Sequence, residues 1–94
     1  MNDLYAQIAE KIIKYQESII GPVAIEQASH VPNLKLDWGK HEVTISGNES
    51  HVIDSLVEVY KELFGQISVE ASREAAGALL GQLPADKLPK TLAA

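Results

Sequence analysis

Apolar residues recur at intervals of three and four through the first twenty positions, at Tyr5, Ile8, Ile12, Tyr15 and Ile19. This spacing places them on one face of an α-helix, which we predict over residues 3–20. Four further apolar residues, Leu4, Ala9, Ile13 and Ile20, widen the face into one that packs against a core. Gly21-Pro22 should end the helix, and a short second helix should run from Pro22 to about residue 29.

Apolar and polar residues alternate from residue 34 to residue 46, which is typical of two β-strands. A two-residue turn at Gly39-Lys40, with glycine first, would join the strands into an antiparallel hairpin. In this register three pairs face each other on one side of the hairpin: Trp38 with His41, Leu36 with Val43, and Leu34 with Ile45. An isolated hairpin is marginally stable in water, so this side should lie on helices, or a strand edge should pair with another chain.

A third helix is predicted over residues 49–64, with Asn48 as its N-cap. Two adjacent apolar rows run along it, Val52/Leu56/Val59/Leu63 and Ile53/Val57/Tyr60/Phe64, and therefore we expect it to be the central helix. Gly65 should break it, and a last helix should run from about residue 66 to residue 80 or 82. The predicted fold is α+β, with four helices and one central antiparallel hairpin in a single domain (1–83), followed by a mobile tail (84–94).

A short pattern occurs twice, at residues 15–26 and again at residues 60–70. In each copy a tyrosine near the end of an apolar helix precedes a glycine, Gly21 or Gly65, and a glutamate follows five residues later. The repeat predicts two helix–Gly–helix units related by a local pseudo-twofold axis, with residues 8–28 superposing on residues 53–72. Tyr15 and Tyr60 should then pack alike, once a one-residue offset before Gly65 is absorbed in the turn.

Composition narrows the classes of function. The 94 residues suit one domain, and 13 acidic against 8 basic residues give a net charge of −5. The chain has no concentrated basic face, which disfavours nucleic-acid binding, and no apolar run of about 20 residues, which disfavours a membrane span. It has no cysteine, and its N-terminus is amphipathic rather than a secretory signal. We therefore expect a cytoplasmic protein.

No pattern in the chain nominates a catalytic, cofactor-binding or metal-binding residue. His30, His41 and His51 lie on different predicted elements without a ligand spacing, and we interpret them as ordinary structural or surface residues. Glu26 and Glu70 occupy matching places in the repeat, so the pseudo-twofold could bring the two carboxylates together. An enzyme using that pair is one hypothesis, and two solvent-exposed carboxylates are the other.

Two further groups of residues suggest a binding role. Asp54, Glu58 and Glu62 form an acidic ridge on the third helix, which is either a solvated face or a docking site for a basic protein partner. Five residues could line an apolar small-molecule pocket between hairpin and helices: Tyr15, Trp38, His41, Tyr60 and Phe64. We favour a non-catalytic interaction or regulatory module that self-associates as a homodimer, because the apolar rows and strand edges exceed what so short a chain covers. A small-molecule sensor with a pocket beside Trp38 is the alternative.

Overall fold

A computed structural model describes residues 4–92 and confirms an α+β fold with four helices and one antiparallel hairpin. Its elements in chain order are α1 (Leu4–Ile20), α2 (Val23–Ala28), β1 (Leu34–Asp37), a 3₁₀ turn (Trp38–Lys40), β2 (Glu42–Ile45), α3 (Glu49–Phe64), α4 (Gln66–Leu80) and a second 3₁₀ turn (Ala85–Lys87). Asn48 caps α3 as predicted, since its side chain accepts a hydrogen bond from the His51 amide at 3.1 Å.

The hairpin has the predicted register but a different turn. Leu34 pairs with Ile45 and Leu36 pairs with Val43, while Asp37 faces Glu42 at the end of the ladder. The chain reverses through the 3₁₀ turn, closed by a hydrogen bond from the His41 amide to the Trp38 carbonyl at 3.0 Å. The residue with left-handed backbone is His41, at φ 52°, and not the glycine first in a two-residue turn. The longer loop needs its positive φ at its end, which histidine accepts more readily than β-branched residues do.

Gly21 and Gly65 break their helices in the same way. Their φ angles are +79° and +81°. Each glycine amide donates to the carbonyl four residues earlier at 2.8 Å, and each glycine carbonyl accepts from the amide three residues later, at 3.0 Å and 3.1 Å respectively. A positive φ is most easily adopted by a residue without Cβ. The predicted equivalence of the two glycine bends is therefore confirmed.

The buried faces of the two units also match when residues are counted from each glycine. The pairs that are buried in both units are Ile8/Val52, Ala9/Ile53, Ile12/Leu56, Ile13/Val57, Gln16/Tyr60, Ala24/Ser68 and Ala28/Ser72. The match cannot continue beyond the end of α2, because α2 has 6 residues and α4 has 15. α1 contacts α2, α3, α4 and β2, so it is α1, more than α3, that holds helices and hairpin together.

The prediction that Tyr15 and Tyr60 pack alike is wrong. Tyr60 is fully buried, whereas Tyr15 is partly exposed. Tyr15 stands six residues before Gly21, whereas Tyr60 stands five residues before Gly65. Both helices run to the residue directly before the glycine, so the turn does not absorb this offset. The residue five positions before Gly21 is Gln16, and this side chain takes the place that Tyr60 has in the other unit.

The C-terminal segment, residues 84–92, lies against the starts of α1 and α3. The Tyr5 hydroxyl donates to the Lys87 carbonyl at 2.9 Å. The Asp54 carboxylate accepts from the Lys90 amide at 3.2 Å and from the Thr91 amide and hydroxyl at 2.8 Å and 2.7 Å. Leu92 is buried. The mobility predicted for residues 84–94 stays a prediction, and residues 93–94 lie outside the described part.

Candidate functional site

The hairpin tip packs onto α1 through Trp38. This ring is partly buried against the core, and its Nε1 donates to Glu17 Oε1 at 3.2 Å. The His41 ring meets it edge-on, with ring centroids 5.1 Å apart and planes at 70°. A tryptophan that is packed on one side and hydrogen-bonded to a carboxylate at its edge is anchored without being enclosed.

The structure distributes the five predicted pocket residues over several places. It brings Trp38 and His41 together at the hairpin tip. Tyr60 lies in the core, and Phe64 is exposed at the end of α3. Tyr15 lines a shallow groove of about 320 Å³ between α1 and α4, beside Lys11, Lys14 and Ala75.

A larger cleft of about 590 Å³ lies between the C-terminal segment and the start of α3. Its wall on α3 includes His51 and Asp54, and its wall on the C-terminal segment includes Asp86, Lys87 and Lys90. Acidic and basic groups are thus mixed around it. Because Asp54 is occupied by the Lys90 and Thr91 groups that hold the segment in place, the cleft walls do not favour one charge class of ligand.

The histidines and glutamates that were considered for metal binding or catalysis all lie at the surface. His30, His41 and His51 are exposed, as are Glu26 and Glu70 on α2 and α4. Within residues 4–92, no group of three or more histidine or acidic side chains is placed to hold a metal ion. Carboxylates that act as general acids and bases are usually found in desolvated sites, and neither glutamate is in one.

The acidic ridge on α3 divides into two parts. Asp54 is partly buried, and its carboxylate binds the backbone of the C-terminal segment. Glu58 and Glu62 are exposed. Of the three predicted partner-facing residues, only these last two are exposed.

Reciprocal hydrogen bonds join the two glycine turns. The Tyr60 hydroxyl donates to the Ala24 carbonyl at 2.7 Å, and Gln16 Nε2 donates to the Ser68 carbonyl at 3.1 Å. In each case a side chain five residues before one glycine reaches the carbonyl three residues after the other glycine. Gln16 also donates to Ser72 Oγ at 3.2 Å. Burial raises the pKa of the Tyr60 hydroxyl, so it stays protonated and able to donate.

Five large apolar residues that stand within two positions of the two glycines are exposed, and we call them together the turn surface. It consists of Ile19, Val23, Leu63, Phe64 and Ile67, with exposed fractions of 57%, 44%, 50%, 39% and 74%. Ile19 and Leu63 each stand two residues before a glycine, and Val23 and Ile67 each stand two residues after one. The pseudo-twofold therefore repeats the exposed apolar residues as well as the buried ones.

Sequence reasoning assigned most of these residues to core faces and did not identify the surface. The spacing of apolar residues along α1 and α3 does not show that the last buried position of each helix lies five residues before its glycine. Ile19 and Leu63 continue the apolar pattern past that position, and so their side chains extend beyond the core. Two aliphatic residues symmetrically placed about each helix-breaking glycine were the available signal.

Carboxylates border the turn surface. Glu26 and Glu70 follow Val23 and Ile67 by three residues, which puts each glutamate on the same helix face as its aliphatic neighbour. Glu62 adjoins Leu63, and all three glutamates are exposed, as is Lys61. Of the exposed charged residues within three positions of these five, three are glutamates and one is a lysine.

In comparisons with known proteins, no family model, no curated protein and no solved structure matches this chain. Among the helices of residues 4–92, none combines the length and apolar character needed to cross a bilayer.

Proposed function

We propose that this chain is a small non-catalytic interaction module that self-associates as a homodimer through the turn surface. The observation that supports this is the group of five large apolar side chains exposed together around two joined helix turns. Exposed apolar residues that are scattered singly need no explanation, but these five all stand beside two joined turns, and a group of exposed apolar residues on a small domain often marks a contact site. On the sequence grounds given above, we place the module in the cytoplasm.

The size of the surface fits this role. Each of the five side chains exposes on the order of 100 Å² of apolar area, about 500 Å² in all. A standard protein interface covers about 800 Å² per partner and has an apolar centre within a polar rim. The turn surface would supply the centre, and the neighbouring charged residues would supply the rim.

Sedimentation analysis over micromolar concentrations tests the proposal. We expect the unmodified chain to form dimers and Leu63→Glu to be monomeric, because a charge at the centre of an apolar contact is costly to bury. Leu63 is the residue of choice because its side chain is 50% exposed, so the change should leave the fold intact.

Ala78→Glu is the matched control, since Ala78 is exposed on α4 near the end remote from Gly65. This variant should still dimerise, and circular dichroism should show equal helix content in all three proteins. An unmodified chain that stays monomeric at every concentration would overturn the proposal. If Leu63→Glu dimerises as the unmodified chain does, the turn surface is not the dimer interface.

A further inference from the structure

The charges beside the turn surface bear on which partner covers it best. Glu26, Glu62 and Glu70 are exposed next to its aliphatic residues, and Glu58 lies one helical turn before Glu62 on the same exposed ridge. Lys61 is the exposed cation in this stretch of α3. Asp54 takes no part, because its carboxylate is bound by the amides of Lys90 and Thr91.

A second copy of the chain would bring two such acidic borders together. Like charges placed opposite each other across an interface oppose association, and this cost is greatest at low ionic strength. Self-association through the turn surface should therefore be weak at low salt and should strengthen as salt screens the carboxylates.

A partner with the opposite charge would meet the same apolar centre without that cost. We propose that the turn surface binds an amphipathic helix of another protein, with an aliphatic face flanked by lysine or arginine; this rests on the proposed function, because it uses the same contact surface. The aliphatic face would cover Ile19, Leu63 and Ile67, and the flanking cations would pair with the bordering glutamates. Helices with apolar anchors at three- and four-residue spacing bind apolar surfaces in this way.

Two designed peptides of about four helical turns provide the probe. Both carry leucine on one face at helical spacing, and the flanking positions are lysine in one peptide and glutamate in the other. By fluorescence anisotropy at low salt we expect the lysine peptide to bind at least about tenfold more tightly than the glutamate peptide. Added salt should reduce this difference.

Variants of the chain locate the binding. Leu63→Glu should abolish binding of the lysine peptide, whereas Ala78→Glu should bind it as the unmodified chain does. The double change Glu26→Gln and Glu70→Gln should weaken binding about threefold to tenfold, since two exposed charge pairs are lost. Equal binding of both peptides, or unchanged binding to Leu63→Glu, would overturn the inference; the second result would mean general attraction to an acidic chain.

Sedimentation with and without the lysine peptide separates this inference from the proposed function. Dimers that the peptide neither binds nor dissociates would overturn the inference and leave self-association standing. A chain that is monomeric alone and binds the lysine peptide at the turn surface would overturn self-association and support the inference. A monomer that binds neither peptide would overturn both.

Discussion

Replacing Gly65 with alanine should destabilise the fold through backbone conformation alone. Gly65 has φ 81° and ψ −169°, a region of the backbone map that is essentially restricted to glycine. Apart from the neighbouring residues of the chain, a Cβ added there would meet no heavy atom within 4 Å, so collision with the rest of the fold contributes nothing. Holding a residue in such a region costs about 1–3 kcal/mol, and for a domain of this size each kcal/mol lowers Tm by about 4–8 °C.

Gly77 is the matched position for the same change. It lies inside α4 and is exposed, and apart from neighbouring helix backbone its added Cβ likewise meets nothing within 4 Å. Its backbone is helical, so Gly77→Ala should stabilise the protein by about 0.5–1 kcal/mol. Thermal unfolding followed by circular dichroism should therefore show Tm falling for Gly65→Ala and rising for Gly77→Ala. An unchanged or higher Tm for Gly65→Ala would refute the argument that backbone conformation at this turn requires glycine.

Two further predictions concern hydrogen bonds between residues far apart in the sequence. Tyr60→Phe should lower the free energy of unfolding, measured with urea, by about 1–3 kcal/mol, because the buried Ala24 carbonyl loses its tyrosine donor. Tyr5→Phe should lower it less, because the exposed bond to the Lys87 carbonyl can be replaced by water. Equal losses would contradict this reasoning. Asp54→Ala should speed hydrogen exchange at the amides of residues 90 and 91, and Glu58→Ala on the same helix should not. If those amides exchange freely in the unmodified chain, the C-terminal segment is mobile as the sequence predicted, and its contacts with Asp54 contribute little.

The sequence by itself determined the secondary structure and the hairpin register. Helical spacing of apolar residues placed α1 and α3 within a residue of their observed bounds. Alternation, together with a reversal centred on Gly39-Lys40, paired Leu34 with Ile45. Both are local signals, because the periods of 3.6 and 2 residues are properties of the backbone itself. The glycines at the helix ends were equally readable, since few other residues adopt a positive φ at low cost.

Only the tertiary structure decided how these elements meet. Tyr15 and Tyr60 look equivalent in the sequence, yet the residue whose contact corresponds to that of Tyr60 is Gln16. The reason is that equivalent positions lie at equal distances from the glycine of each unit. Asp54 resembles Glu58 in spacing, but only Asp54 lies where the C-terminal segment returns. Ile19 and Leu63 continue apolar rows whose earlier members are buried, and they are exposed because the core ends before them. Burial depends on which parts of the chain come together across long separations, and periodicity along one helix carries no information about that.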